Sequence, residues 1–443
     1  MDIIVIGFAL FAMFFGAGNL IFPPMLGYTY GNNWLYAGIG FTIVGVGLTL
    51  IAVISVAKSH GNIFSFTSLA GNKLSKVIIF IIALCIGPLG AIPRTAATSS
   101  EMLTSSGFNI SPLVFSIIFF FISLCLALGE SSVVDFIGKF LTPLLLISLF
   151  IMIIVGVINP IGEMKDVNMH TGKILSNSML EGYNTMDALA ALAFTPIIVK
   201  SIVKKGYKNE ILKKTIEASF VAVIGLALVY MSLAYLGASV SKSVDGLSRV
   251  ELLNFISKEI LGSKGRYILL IALILACFTT ATGLISSISE IFVKYSNNRL
   301  SYKFNACLIT LTSLVLSVLG VDSIVEFTGP FLQFAYPLAI LLVIFNLYGK
   351  NKLDKILVRN SFITVSIVSF IDAIISFISV IEKLLNINFE LFDAIQEALS
   401  NILKIISINN KDFPWVYPFI IVFILTLIYV NKFNSKTNID LSK

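Results

Sequence analysis

The sequence predicts an all-α polytopic membrane protein with about twelve transmembrane helices. Of its 443 residues, 57% are hydrophobic and 12% are charged, and the mean hydropathy is +0.95, whereas a soluble domain carries about 25% charged residues. The apolar residues form continuous runs such as VFSIIFFFISLCLAL (114–128), which are typical of membrane helices. This composition excludes a soluble enzyme. It also argues against a nucleic-acid-binding protein, although the formal net charge is +7.

A helix needs roughly 20 apolar residues to cross a bilayer. The expected spans lie near 3–30, 34–57, 76–105, 113–128, 134–158, 177–203, 211–239, 267–293, 303–319, 324–347, 359–380 and 414–431. The first run lacks the basic start and the cleavage pattern of a signal peptide, so we expect it to be retained as span 1. Lys and Arg are concentrated in the loops on the same side as the termini, which predicts that both termini are cytoplasmic.

Two further segments have apolar residues at helical spacing but too many charges for a span. They cover residues 240–266 and 382–409. We expect both to form amphipathic helices on the outer membrane surface.

Span 1 is interrupted near its middle by the sequence GAGN, residues 16–19. A glycine inside a helix costs about 1 kcal/mol relative to alanine. We expect Pro23 and Pro24, which lack a backbone donor, to add to the break. Freed backbone groups at this depth are tolerated where they line a cavity or meet a ligand. A close helix-packing site is the alternative interpretation.

Span 6 has a second interruption at GYNTMD, residues 182–187. Asp187 directly precedes a run of strong helix formers, so it fits a helix N-cap. Coordination of a cation or a proton by its carboxylate is the alternative.

The two interruptions hold corresponding positions, because each lies in the first span of a set of five. Discontinuous helices at corresponding places in two halves of a chain indicate a transporter binding site. The N-terminus of a half-helix attracts a carboxylate, while unwound carbonyls attract a cation. An amino acid zwitterion together with Na⁺ would suit these two electrostatic environments, one that attracts a carboxylate and one that attracts a cation.

Span 8 adds hydroxyl groups, among them Thr279 and Thr280. They provide hard oxygen ligands for Na⁺, or alternatively bond to their own helix backbone.

Arg94 and Glu101 are intramembrane charges seven residues apart in span 3, and both a structural ion pair and a gate are consistent with this spacing.

Five motifs, in this order along the chain, closely resemble those of the bacterial branched-chain amino acid:cation symporters. They are GFALFAMFFGAGNLIFPPMLG, GPLGAIPRTAATSSE, GYNTMDALAALAF, ACFTTATGLISSISE and LQFAYPLAILL. The resemblance implies a LeuT-type fold with two inverted five-helix repeats. These repeats would cover residues 1–158 and 177–347, followed by two peripheral helices within 359–431 that flank the outer amphipathic segment.

The same resemblance implies a multi-pass protein of the bacterial cytoplasmic (inner) membrane, embedded in the lipid bilayer. It would import leucine, isoleucine and valine by symport with Na⁺ or, alternatively, H⁺, without any other cofactor. A cation-coupled transporter of another apolar amino acid or small solute is the main rival. A membrane-embedded enzyme would need clustered acids or histidines at the membrane edge, and a channel would need a repeated filter sequence; the sequence contains neither.

By resemblance, the substrate would bind at the two interruptions, and no residue would be catalytic. The expected substrate-binding residues are Gly16, Ala17, Gly18, Asn19, Gly182, Tyr183, Asn184 and Thr185. The expected Na⁺ ligands are Ala12, Phe15, Ala276, Thr279 and Thr280. Asp187, Arg94 and Glu101 are candidates for coupling or gating.

Overall fold

The computed structural model describes residues 2–59, 61–129, 146–349, 354–385, 389–408 and 410–440. Within these ranges every regular element is a helix. In the first half of the chain they are α1 (Asp2–Phe14), α2 (Ala17–Tyr30), α3 (Trp34–Thr42), α4 (Thr49–Lys58), α5 (Ile63–Thr67), α6 (Asn72–Ile86), α7 (Ala91–Ser105), α8 (Pro112–Leu128), α9 (Leu146–Ile158) and α10 (Thr171–Tyr183). In the second half they are α11 (Asp187–Lys204), α12 (Ile211–Ser239), α13 (Arg249–Tyr295), α14 (Tyr302–Ser317), α15 (Val321–Tyr348), α16 (Lys355–Leu385), α17 (Glu390–Ile406) and α18 (Val416–Asp440).

Each predicted span coincides with one helix or with a pair of helices, apart from residues 134–145 of span 5, which lie outside the described ranges. By length and composition, six helical segments of the described chain are able to cross a membrane. The pair α10 and α11, bent by 42°, passes the same test as a seventh segment, and five shorter apolar helices complete the set. The all-helical prediction is therefore confirmed.

The chain divides into two compact units. One comprises Met1–Val53 and Ala83–Val325, and the other comprises Ile54–Ile82 and Glu326–Lys443. The first unit contains both predicted interruptions.

In the first unit, α2 and α12 touch backbone to backbone. A Cβ on Gly27 would lie 1.7 Å from the carbonyl oxygen of Ala234, and one on Gly237 would lie 1.8 Å from that of Pro24. Only glycine permits such an approach. This contact fixes the second half of α2 against α12.

The structure corrects our expectation for Pro23 and Pro24, because α2 continues through both prolines to Tyr30. The break lies at Phe15 and Gly16. Proline inside a membrane helix is tolerated where neighbouring groups compensate for the lost hydrogen bonds. The close packing against α12 gives α2 such support.

The amphipathic segment within 240–266 also differs from the prediction. It forms the start of α13, up to a kink at Gly262 (φ 67°). Its apolar residues Val250, Leu252 and Ile256 are fully buried inside the protein. Its apolar face therefore packs against protein, whereas we expected a helix lying on the membrane surface.

In the second unit, α16 packs against α18, and α17 follows α16. Asn346 donates from Nδ2 to the Phe66 carbonyl (3.0 Å), which holds α15 to α5. The segment predicted to be amphipathic at 382–409 is helical over α17, none of whose residues is buried. Gln396 on α17 donates to Ser379 Oγ on α16 (2.6 Å).

Candidate functional site

The interruption of span 1 exposes the N-terminus of α2. Gly16 is extended (φ −104°, ψ −172°) and is the N-cap of α2, without a side chain to cap the first N–H groups. A Cβ on Gly18 would lie 2.8 Å from Nη2 of Arg94. Glycine at this position thus lets the guanidinium group lie directly against the first turn of α2.

The interruption of span 6 is a turn of three residues. Met186 adopts the left-handed conformation (φ 63°), which is uncommon for a residue with a side chain and is typical of strained functional sites. Arg94 crosses to this turn and donates from Nη1 to the Asn184 carbonyl (2.5 Å) and from Nη2 to that of Thr185 (3.4 Å). The guanidinium group thereby satisfies carbonyls that the turn leaves without a helical partner.

A buried polar network joins the two interruptions. Asn19 Nδ2 donates to Oδ2 of Asp187 (2.7 Å), and the Tyr230 hydroxyl donates to the same oxygen (3.1 Å). Asn19 also donates to the Tyr230 oxygen. All three residues are buried. The carboxylate is in the first turn of α11, where the positive end of the helix favours it.

Asp187 is therefore not the N-cap that we considered from the sequence. The N-cap of α11 is Met186, whose side chain makes no capping hydrogen bond, and the Asp187 N–H donates instead to Oγ1 of Thr185 (3.4 Å). The Asp187 carboxylate instead faces Asn19 and Tyr230.

Span 8 meets span 1 at the interruption. A Cβ on Gly16 would lie 3.8 Å from Cγ2 of Thr280. The Thr279 hydroxyl donates to the Ala276 carbonyl within α13 (2.8 Å), the internal bond that we considered as the alternative to a ligand role. Ala12 lies in the last turn of α1 and Phe15 directly after that helix.

A cavity of about 40 Å³ lies between these elements. Its lining combines polar groups with apolar side chains. The lining residues are Met13, Phe14, Gly16, Ala17, Gly18, Asn19, Ile86, Ala91, Arg94, Thr95, Thr185, Met186, Asp187, Ala190, Phe194, Thr280 and Leu284. The volume corresponds to about three water molecules, so the walls must separate before an amino acid can enter.

The structure brings together many of the residues singled out from the sequence, but not all of them. The predicted residues that line the cavity are Gly16, Ala17, Gly18, Asn19, Thr185, Asp187, Arg94 and Thr280. Gly182 instead packs against α3 and the π-helical turn after it, since its Cβ would lie 2.9 Å from Cβ of Val44. Tyr183 is buried beside it in the last turn of α10.

Arg94 and Glu101 make different contacts, although their spacing suggested a pair. Arg94 bonds to the turn in span 6, whereas Oε1 of Glu101 accepts from the Val321 N–H (2.7 Å) at the start of α15. Glu101 thus lies at the N-terminus of another helix, where a carboxylate is stabilising.

Two features of the site were missed from the sequence. Tyr230 lies in the ordinary apolar run LALVYMSLAYLG, and only its buried hydroxyl distinguishes it. The turn GPLG (87–90) separates α6 from α7, so Arg94 lies in the first turn of a helix that starts beside the cavity. Its two glycines and a proline were a signal for this third interruption.

Residues 1–433 match the model of the family described as branched-chain amino acid transport protein. The chain belongs to this family. It is 37% identical over 359 residues to the branched-chain amino acid permease BraB of Bacillus subtilis, covering 79% of this chain and 80% of that one. The chain is thus identified with a family of transporters, in agreement with our expectation that it is not an enzyme.

The fold has solved counterparts. One is Mhp1, a nucleobase-cation-symport-1 family transporter, in a closed conformation with bromovinylhydantoin bound (TM-score 0.64, 13% identity, 98% of this chain and 93% of that one). Mhp1 in an inward-facing conformation also matches (TM-score 0.58, 11% identity, 98% and 91%). These similarities confirm the LeuT-type fold class. The residue boundaries of the two repeats and the roles of the site residues stay predictions.

Proposed function

We propose that the protein imports branched-chain amino acids into the bacterial cytoplasm by symport with Na⁺ or H⁺. The observation that carries the proposal is the cavity between the two interrupted helices. One wall presents the N-terminus of α2, and the opposite wall presents the turn of span 6 and Asp187. Family membership and the name of the Bacillus relative support this choice of substrate.

The two polar walls suit the two ends of an amino acid. The carboxylate would face the first turn of α2, which begins at Ala17 and where the helix dipole is positive. The ammonium group would face the Asp187 carboxylate and the carbonyls of Asn184 and Thr185.

The apolar part of the lining suits an aliphatic side chain. It includes Met13, Phe14, Ile86, Phe194 and Leu284. Each buried methylene contributes about 0.8 kcal/mol, which favours leucine, isoleucine and valine over alanine. Closure of these side chains around the substrate would exclude water.

Na⁺ is supported by Thr280, whose side chain lies beside Gly16 at the interruption. By resemblance to the symporter family, the carbonyls of Ala12, Phe15 and Ala276 and the Thr279 hydroxyl would complete the site. H⁺ is supported by Asp187, a carboxylate that lines the cavity. In both cases the coupling ion would bind next to the substrate and stabilise the approach of the interrupted helices.

The test is uptake of radiolabelled leucine by proteoliposomes under an inward Na⁺ gradient or an inward proton gradient at fixed voltage. If Na⁺ drives transport, Thr280→Ala should raise the Na⁺ concentration for half-maximal uptake about tenfold, the effect of losing roughly 1.4 kcal/mol of binding energy. Thr282→Ala is the matched control, because that hydroxyl bonds within α13 to the Phe278 carbonyl (2.8 Å) and does not line the cavity.

The alternative outcome is uptake that requires the proton gradient alone. If it is then abolished in Asp187→Asn and retained in Thr280→Ala, proton coupling would be assigned to Asp187. An unchanged Na⁺ dependence in Thr280→Ala, with Na⁺ as the driving ion, would refute the cation site. Absence of leucine uptake under both gradients by folded protein would refute the substrate.

A further inference from the structure

Arg249 connects three helices. It is the first residue of α13. Its Nη2 donates to Oε1 of Glu181 near the end of α10 (2.9 Å), and its Nη1 donates to Oδ1 of Asp322 at the start of α15. The two carboxylates lie 68 and 73 positions away in the sequence, so these bonds exist only when the three helix ends are together.

The ring of Phe22 contacts both this cluster and a residue of the cavity lining. The Cζ atom of Arg249 is 5.4 Å from the ring centroid, and that of Arg94, which lines the cavity, is 5.2 Å from it. Such cation–π contacts are stabilising when they are shielded from water. Phe22 is fully buried and belongs to α2, the helix whose N-terminus faces the cavity.

A continuous chain of hydrogen bonds runs beside this ring. Glu181 binds Arg249 through Oε1 and accepts from Nδ2 of Asn184 through Oε2 (2.9 Å). The Asn184 carbonyl in turn accepts from Arg94. The chain therefore leads from Asp322 through Arg249 and Glu181 to the wall of the cavity.

Exposure increases along this chain. Arg94 is 4% exposed, whereas the side chains of Arg249, Glu181 and Asp322 are 20%, 23% and 47% exposed. The cluster is thus the solvent-exposed end of a chain of hydrogen bonds whose other end, Arg94, lines the cavity. Partial exposure makes these ion pairs easier to break. When a pair separates, water can solvate each charge, so no unpaired charge is left buried.

We propose that Arg249, Glu181 and Asp322 form an external gate, which holds Phe22 against Arg94 at the cavity wall and must break for the substrate to enter from outside. The inference rests on the proposed function and assigns a position to its entry pathway. The external assignment follows from the excess of Lys and Arg on the opposite face of the membrane. Loss of the Asp322 bond should shift the protein towards a state in which the cavity is open to the outside.

The test measures access to the cavity by chemical labelling. Ala190, which lines the cavity, is replaced by cysteine in a variant whose four native cysteines (Cys85, Cys125, Cys277 and Cys307) are replaced by alanine. Intact cells are treated with a membrane-impermeant methanethiosulfonate, and the labelling rate is measured. Asp322→Asn should raise the rate up to about fivefold, the factor that corresponds to the roughly 1 kcal/mol of a partly exposed ion pair.

Glu163→Gln is the matched control. Glu163 pairs with Lys242 (2.5 Å) in a loop ion pair whose side chains are 79% and 62% exposed. The hydrogen bond from Lys242 and its charge hold the pKa of Glu163 below its ordinary value. Removing this pair should leave the labelling rate unchanged, because it does not touch Phe22.

A conservative variant guards against misfolding of Asp322→Asn. Asp322→Glu keeps the negative charge that Arg249 binds and should retain the slow labelling of the parent. Equal rates in the parent, Asp322→Asn and Glu163→Gln would refute the gate, as would faster labelling found only in inside-out vesicles. Leucine is added in a separate arm: failure of leucine to slow labelling would count against the proposed substrate, while the effect of Asp322→Asn would still report on the gate.

Discussion

Gly237→Ala should force α2 and α12 apart and damage both the fold and the site. The added Cβ would lie 1.8 Å from the Pro24 carbonyl oxygen, whereas ordinary contacts begin at 3.4 Å. The helices must therefore separate at this point by roughly 1.6 Å, the difference between these two distances. The obstructing atom is a backbone oxygen, so no change of side-chain rotamer relieves the contact.

The energetic consequence combines two opposing effects. Overpacking a well-packed interface costs up to about 3 kcal/mol, and alanine gains about 1 kcal/mol over glycine in a helix. The net destabilisation is then about 2 kcal/mol. Gly283→Ala in α13 is the matched control, because no atom lies within 4 Å of its Cβ position. It should gain about 1 kcal/mol instead.

The separation should also reach the site. Tyr230 lies seven residues before Gly237 on α12, which is two helical turns and roughly 10 Å along the axis, so both lie on the same face. Moving α2 away from this face stretches the bond between Asn19 and Tyr230. Leucine uptake should therefore fall in Gly237→Ala and stay at the level of the parent in Gly283→Ala.

The measurement is thermal unfolding in detergent, followed by the fluorescence of Trp34 and Trp415, together with uptake in proteoliposomes. The two glycine variants should shift the unfolding temperature in opposite directions. An unfolding temperature of Gly237→Ala at or above that of the parent would refute the backbone contact between α2 and α12.

Two further predictions concern single hydrogen bonds. Tyr230→Phe keeps the ring but removes the bond to Asp187, so the leucine concentration for half-maximal uptake should rise about tenfold; Tyr235→Phe on the same helix should leave it unchanged, and equal values for both variants would contradict the role of the network. Glu101→Ala removes the acceptor for the Val321 N–H and should lower the unfolding temperature, as loss of a helix cap costs about 1 kcal/mol, whereas Glu101→Gln retains an acceptor and should unfold close to the parent. A loss of uptake at unchanged stability in Glu101→Ala would indicate gating instead.

The helices and the two main interruptions could be predicted because they depend on local sequence. Continuous apolar runs define the spans, and the glycines and polar residues at 16–19 and 182–187 make regular helix unfavourable. The prediction that the prolines at 23 and 24 add to the break was wrong, because α2 continues through both of them. Their effect on α2 is decided by Gly237 on another helix, more than 200 residues away in the chain.

The partners of the polar groups could not be predicted, since spacing along one helix says nothing about contacts between helices. Arg94 and Glu101 share a helix face, yet one bonds to the turn in span 6 and the other to the start of α15. Tyr230 and Arg249 join networks whose other members lie far away in the sequence. Such contacts depend on tertiary packing, which determines which polar groups meet.

The hydrogen bonds of Arg94 have a consequence for substrate binding that the sequence did not suggest. It already occupies the carbonyls of Asn184 and Thr185, to which the proposed function assigns the substrate ammonium group. A substrate carboxylate at the start of α2 would offer Arg94, packed against Gly18, a bond between two charged groups, which is stronger than a bond to a carbonyl. Drawing the guanidinium group towards α2 would free both carbonyls for the ammonium group. Because Asn184 is also bonded to Glu181, the same movement would reach the proposed gate, so substrate binding in the cavity and closure of that gate would be linked through one arginine.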